Sequence, residues 1–515
     1  MESWNRPARN VLEYIEHSAE VFPSNLAFRD DKTQVTYAEL LRQVKKLGYR
    51  IAEKVSGMPR PIVVFMEKSV ECLVSFFGIA ASGNFYVCMD TQMAPERIRK
   101  ILDSLQPAAI LGRAIQNEEI FSDYAVLDYD ELLAAETEEE RQKECLQKIR
   151  KNMIDADPLY ILYTSGSTGI PKGSVISHRS VIDYAEWVSR TFQFDETTVF
   201  GSQTPFYFSM SVLDIFTAIR NGAALQIIPK KLFSFPVKLL EYMRETRVNA
   251  IYWVPSALSI VADWRALDYV ELPNLRTVLF AGEVMPTRQL NVWRSHLPKA
   301  RYANLFGPTE ITDIGLYYIL DREFSDEEPI PIGIPCENID AFAVTEEGKL
   351  IGEDETGELY FRGSFVGRGY YNSPEKTREV FVQNPLHESY PDPVYCTGDL
   401  VKLNERGEYL YQGRKDFQIK HMGYRIELGE IEHAAGSFQK LDRAACIYRP
   451  EKEQIVLIYQ GTAEKQEILA YLKDLIPVYM MPEEMVSVTA MPLNANGKID
   501  RKLLQEQYGE KERKG

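Results

Sequence analysis

The six cysteines, Cys72, Cys88, Cys145, Cys336, Cys396 and Cys446, contain no Cys-x-x-Cys pair. That spacing argues against a zinc ribbon or a disulfide framework and is the usage expected in a reducing compartment, so a cytoplasmic location is expected. The six histidines are equally dispersed, without an i, i+4 metal-binding pair. No apolar run is long enough for a membrane span: the longest charge-free stretch, Cys72 to Met89, is broken by Gly78, Ser82, Gly83 and Asn84 and reads as a buried helix turning into a strand. The first residues lack the apolar core of a signal peptide. Excess positive charge is missing too. The net charge of −16 disfavours nonspecific binding to nucleic acid or an anionic membrane. It is unevenly spread, with −15 on the first 416 residues and −1 on the rest.

What is present is a chain of 515 residues, longer than one hydrophobic core normally supports, so a large body with at least one further domain is expected. Apolar residues recur at helical spacing in Val11-Leu12-Tyr14-Ile15 and in Tyr37-Leu40-Leu41-Val44-Leu47. Thr36 with Glu39 three positions on predicts a capping box at the start of the second helix. Pro61 to Phe65 reads as a buried strand, followed by a helix from about Ser69 to Ala81. Further apolar runs at Ala250 to Val254 and Val278 to Ala281 each end in a turn-former, Pro255 or Gly282. This alternation predicts an α/β sandwich of largely parallel sheets, with ligand-binding side chains delivered at strand C-termini. Residues 131–152, rich in Glu, Lys and Arg, read as a solvated helix and linker with no assigned chemistry.

One stretch stands out. After the β-prone run Leu159 to Tyr163 comes Thr164-Ser165-Gly166-Ser167-Thr168-Gly169-Ile170-Pro171-Lys172-Gly173-Ser174. Hydroxyls, glycines and a lysine at the end of a strand make a loop able to turn backbone N–H groups toward a polyanion. The Walker spacing is absent, because Lys172 lies between Pro171 and Gly173, which disfavours a P-loop kinase or ATPase. A flexible Ser/Gly linker is the alternative, but linkers do not follow a buried strand.

This loop resembles the phosphate loop of the adenylate-forming enzymes, the superfamily of amino-acid adenylation domains, acyl- and aryl-CoA ligases and luciferases. The resemblance continues through Pro205 to Ile215, Asn304-Leu305-Phe306-Gly307-Pro308-Thr309-Glu310, Gly367 to Asn372, Tyr395 to Leu400, Gly413 to Glu432 and Asn494 to Lys502. It covers nearly the whole chain and is nearest to stand-alone amino-acid adenylation enzymes such as D-alanine carrier-protein ligase. It implies a large multi-lobed N-terminal domain over 1–415 and a small mobile α+β domain over 416–515, with Asp416 as hinge and Gly423 in the segment that serves thiol transfer. It implies ATP and Mg2+ as cofactors, an acid or amino acid as substrate, and the phosphopantetheine thiol of a carrier protein, or CoA, as acceptor. Neither Gly-Gly-x-Ser nor His-His-x-x-x-Asp occurs, so a carrier is expected to be a separate protein.

By resemblance, Lys498 bridges the attacking carboxylate and the α-phosphate, Glu310 binds magnesium, and Thr164 belongs to the catalytic phosphate loop. Thr164, Ser165, Gly166, Ser167, Thr168, Gly169 and Lys172 hold phosphates. Phe306, with Asn304, Gly307 and Thr309, meets the adenine end, while Asp399 takes the ribose hydroxyls and Arg414 lies near them. An attack of one anion on another requires such neutralisation and alignment. Lys498 taken alone would read as an exposed tail lysine, and Phe306 as core. Retention of Lys498, Glu310, Asp399 and Arg414 together argues against an inactive nucleotide-binding scaffold.

The acid pocket by motif alignment is Phe208, Ser209, Met210, Leu213, Trp253, Leu279, Ala281, Leu305, Asp313 and Ile314. Where α-amino-acid adenylation domains carry an aspartate for the substrate ammonium, this chain has Ser209, which supplies no charge. Asp313 is the remaining candidate counter-ion. The expected acid is therefore a β-amino or more remote amino acid paired with Asp313, or an aryl acid with a polar group; alternatively Asp313 is solvated or caps a turn and the acid is uncharged. A CoA ligase and a D-alanine ligase remain as other readings.

Overall fold

The computed structural model describes residues 8–55, 57, 59–115, 117–166, 171–352, 355–416, 418–493 and 499–509. The chain divides into two compact units. The first is Met1–Thr91, Gln106–Leu162 and Gly173–Gly413; the second is Gln92–Leu105, Tyr163–Lys172 and Arg414–Gly515. The second thus gathers two inserts from the N-terminal part, which sequence pattern does not anticipate.

The first unit is built on sheets. A nine-stranded sheet runs in the order Ile334–Pro335, Leu316–Ile319, Arg301–Phe306, Thr277–Phe280, Ala250–Trp253, Val199–Ser202, Ala224–Ile227, Leu26–Arg29, Gln34–Thr36. Its six interior strands are parallel and only the edges reverse. Such strands are buried on both faces, and Ala250–Trp253 and Thr277–Phe280 are buried at every position. A six-stranded sheet takes in Pro61–Phe65 and Phe85–Met89 at its centre, and a five-stranded antiparallel sheet covers Ile339–Val344 to Tyr409–Arg414. The protein is α/β in class, as expected.

Local chemistry explains the helices that carry these sheets. Tyr37–Lys54 starts at Thr36, whose hydroxyl accepts from the Glu39 N–H while Glu39 reaches back, the capping box expected from sequence. Val70–Ala81 starts at Ser69, which caps Cys72 N–H. Glu139–Asn152 buries no residue, in keeping with its polar composition. One apolar core runs through the first unit from Val11 to Tyr409.

The second unit has its own cores, around Ile426, Ile431, Leu457 and Leu472, and around Ala445, Ile458 and Leu504. A three-stranded sheet, Leu441–Arg449, Gln454–Gly461 and Glu484–Ser487, lies beside a hairpin of Gln418–His421 with Tyr424–Glu427. The hairpin turns through Met422 (φ +51°) and Gly423 (φ +80°), the two positive-φ positions of a tight two-residue loop, which glycine favours. Among the described residues, no helix is long and apolar enough to cross a membrane.

Candidate active site

Strand parity decides which side chains share a face. Tyr252 pairs laterally with Leu279, and Leu279 with Ala303, two residues before Leu305. Tyr252, Leu279 and Leu305 therefore stand on one face of the nine-stranded sheet, because successive side chains alternate. Trp253 stands on the other face, in register with Phe280 and Asn304. Its indole N–H donates to Gly201 O at 2.8 Å and its ring meets Phe233 edge-on. The alignment that put Trp253 with Leu279 and Leu305 is corrected by one residue: Tyr252 is the side chain on their face.

Tyr252 leads to Asp313. Its hydroxyl donates to Asp313 Oδ2 at 3.1 Å, and that of Tyr184, on the helix His178–Phe192, donates to the same oxygen at 2.7 Å. Ser209 is near enough to help lower this carboxyl, and Thr309 Oγ1 donates to Ser209 Oγ at 3.4 Å. Asp313 is 1% exposed. Burial pushes its carboxyl up to about 7, against the lowering by the three hydroxyls. It is neither solvated nor an isolated turn cap. Met210, Leu213, Leu279, Ala281, Leu305 and Ile314 are all buried. Ser209 and Phe208 are partly accessible.

The loop after the strand Arg301–Phe306 fixes Asp313. Gly315 N–H returns to Phe306 O at 2.9 Å, and Asp313 N–H bonds Ile311 O at 2.9 Å across Thr312. Thr312 has φ +75° and ψ −62°, the strained γ-turn geometry, and its hydroxyl is tied to Phe365 O at 2.7 Å. Gly307 packs so closely that a Cβ there would lie 2.2 Å from Asp313 O.

Beside it, Glu310 is fully buried and accepts the Tyr370 hydroxyl at 2.6 Å. The Phe306 ring lies 5.8 Å from that of Tyr411, Asn304 donates to Pro331 O, and Asp399 is buried with its N–H on Thr397 Oγ1. Lys68 and Asp214 form a second ionisable pair. Lys68 Nζ donates to Ser202 O, and burial pushes its ammonium down and the Asp214 carboxyl up, each countered by the other's charge.

In the second unit, Ser165 donates to Arg425 O at 2.8 Å and accepts Glu427 N–H at 3.2 Å, while Lys172 lies 3.8 Å from Glu427. The Thr164 hydroxyl is buried with no partner among the described residues. Arg414 makes a two-pronged pair with Asp416 at 2.7 and 2.8 Å. Ser167, Thr168, Gly169 and Lys498 lie outside the described residues.

Sequence reasoning missed Tyr184, Tyr252, Tyr370 and Lys68. Tyr370 lay within a matched motif, and Tyr252 one position from the residue chosen. Tyr184 sits on the buried face of an amphipathic helix, where periodicity announces a core tyrosine but not its hydroxyl's partner.

Comparison with known proteins gives a consistent picture. Residues 15–371 match the family model described as AMP-binding enzyme. The chain is 31% identical over 516 residues to a D-alanine--D-alanyl carrier protein ligase of Bacillus licheniformis, covering 96% of this chain and 99% of that one. It is 32% identical over 507 residues to zwittermicin A synthase ZmaJ of Bacillus cereus, covering 96% and 94%. It spans only 6% of the length of a linear gramicidin synthase polypeptide of Brevibacillus parabrevis, at 32% identity over 504 residues and 96% of this chain. Among solved structures, o-succinylbenzoate CoA synthetase of Bacillus subtilis superposes with a TM-score of 0.83 at 19% identity, covering 97% and 99% of the two chains. An artificially fused adenylation–PCP di-domain from Klebsiella oxytoca gives 0.80 at 20%, covering 94% of each. The fold is shared with the solved structures, and the sequence match spans the strands and loops that carry Asp313 and Glu310; the chain belongs to the AMP-binding enzyme family of ATP-dependent, AMP-forming ligases.

Proposed function

We propose that the protein adenylates an unusual carboxylic acid and passes the acyl group to the phosphopantetheine thiol of a separate carrier protein. The observation that carries this reading is Ser209 in place of a charged residue, joined to a buried Asp313 held by Tyr184 and Tyr252. A β-amino acid, a more remote amino acid or an aryl acid with a polar group suits that end of the pocket. Relatives named as D-alanine--D-alanyl carrier protein ligases favour D-alanine as a second reading; Ser209 stands against it, because an α-ammonium there meets no charge.

In the first half-reaction the acid's carboxylate oxygen forms a bond to the α-phosphorus and the bond to pyrophosphate breaks. Lys498 sits between the two anions, Thr164 and Lys172 hold phosphate oxygens, Phe306 meets the adenine, and Asp399 with Arg414 takes the ribose. Glu310 fits a magnesium site shared with those phosphates: it is a hard oxygen donor, and no group of three metal-ligating side chains occurs among the described residues. Magnesium bound there supplies charge neutralisation on the phosphates. In the second half-reaction the thiol attacks the acyl carbon and AMP leaves, with the 416–515 domain turning about Asp416 to bring the Gly423 segment forward.

Acid-dependent exchange of labelled pyrophosphate into ATP tests the first step. Lys498→Ala is expected to lower exchange by about a hundredfold or more with circular dichroism unchanged. Wild-type exchange in that variant would remove Lys498 from the mechanism.

A further inference from the structure

A hydroxyl has one proton, and the two tyrosine hydroxyls that hold Asp313 have spent theirs. Tyr184 and Tyr252 both donate to Oδ2, so each turns only lone pairs toward anything else that enters. Thr309 donates to Ser209 Oγ, and Ser209 in turn is near enough to help lower the Asp313 carboxyl. Tyr160, fully buried on the strand Pro158–Thr164, has no hydroxyl partner among the described residues and feels the Asp313 charge.

Charge points the same way. The groups facing Asp313 are Tyr160, Tyr184, Tyr252, Cys336 and Asp214, none of them a cation. The half-buried lysine Lys68 is matched by Asp214. One buried negative charge is left over, ringed by oxygens able to accept.

We propose that Tyr184 and Tyr252, organised by Asp313 with Ser209 beside them, form a hydrogen-bond-accepting and singly anionic cage that selects acids bearing a protonated amine remote from the carboxylate. Tyr184 and Tyr252 are its specificity-determining residues. This rests on the reading that the acid lies against Ser209, and it narrows that reading from an unusual acid to a cationic one. An acid whose remote group only accepts, such as an ether, meets lone pairs facing lone pairs. A neutral hydroxyl can donate but leaves the charge unmatched.

The test is pyrophosphate exchange with matched acids: 3-aminobutanoate, 3-hydroxybutanoate and 3-methoxybutanoate, the same three substituents at carbons 4, 5 and 6, the corresponding substituted benzoates, and D- and L-alanine. Wild type, Tyr184→Phe, Tyr252→Phe and Asp313→Asn are compared. Wild type is expected to prefer the best amine over its methoxy partner by about a thousandfold in kcat/KM. Each phenylalanine variant keeps the ring and is expected to reduce that preference about tenfold through KM, with kcat little changed. Asp313→Asn is expected to level amine and hydroxyl members. A wild-type preference for methoxy or hydroxy acids, or a preference that the three variants leave untouched, overturns the cage while leaving adenylation standing. Alanine preferred by all four proteins does the same. No exchange with any acid overturns both readings.

Discussion

A carboxyl that titrates near neutrality changes how the protein responds to pH. Asp313 is pushed up to about 7 by burial, whereas in an unfolded chain an aspartate titrates near ~3.9. Between those values the folded state holds a proton that the unfolded state has lost. The contribution of Asp313 to stability is therefore full below the unfolded value and is lost as pH rises through about 7. Asp313→Asn cannot ionise, so it removes this slope. In thermal melts from pH 4 to 8, the stability of wild type relative to the variant is expected to fall as pH rises to about 7 and then level. Asp214, also raised by burial, is present in both proteins and cancels in that difference. A difference that stays constant, or that grows with pH, would refute the assignment. The same titration sets ligand capture: a cationic acid binds the ionised form and is held more tightly as pH approaches that value. Thr312 keeps the carboxyl in place, because a β-branched residue at φ +75° persists only where its surroundings hold it, here through Phe365 O.

The loop between the strands Arg301–Phe306 and Leu316–Ile319 is where backbone geometry becomes chemistry. Gly307→Ala would set a methyl 2.2 Å from the Asp313 carbonyl oxygen, an atom that cannot step aside without moving the carboxylate. The variant is expected to lose about 1–3 kcal/mol in urea denaturation and to lose exchange activity more than its stability predicts; full activity with unchanged stability would show the loop to be pliable. Elements of this kind were legible in the sequence to different depths. The Thr36 capping box, the strand Pro61–Phe65 and the helix begun by Ser69 follow from local rules and stand where those rules put them. Segments 164–174 and 304–310 were marked by composition and motif, and their roles stand as proposals. What local rules could not reach was parity. Motif spacing chose Trp253, but only the lateral pairing with Leu279 says that Tyr252 shares the face, and a one-residue slip reverses every side chain. Tyr184 was hidden for another reason: it lies 129 residues from Asp313 along the chain, and nothing in a helical period names so distant a partner.

Across the molecule, the second unit is assembled from three separate stretches of chain, one of them the Gly/Ser-rich segment Tyr163–Lys172. Arg97, from one insert, pairs with the buried Glu430. Ser165 and Lys172, from the other, are engaged by the strand Tyr424–Glu427. The Ser165 proton given to Arg425 O cannot also go to a triphosphate, and a Lys172 charge facing Glu427 is only partly available to one. On the proposed phosphate-binding role, nucleotide binding exchanges one set of partners for another, and the apparent affinity for ATP carries the free energy of breaking the first set. Glu427→Gln isolates that term. The amide oxygen still accepts from Gln418, which donates to Glu427 at 2.6 Å, but the charge facing Lys172 is gone. The pair is largely shielded from solvent, with 14% and 10% of the two side chains exposed, and a bond to a charged group is worth about 1.5–3 kcal/mol when unopposed. Replacement by a neutral amide recovers a fraction of that, so KM for ATP in pyrophosphate exchange is expected to fall about two- to tenfold. High salt should shrink the difference between variant and wild type, because screening weakens the Lys172–Glu427 attraction in the parent. An unchanged KM would mean that Lys172 does not turn to the phosphates, and a raised one that Glu427 helps to hold the loop in its binding form.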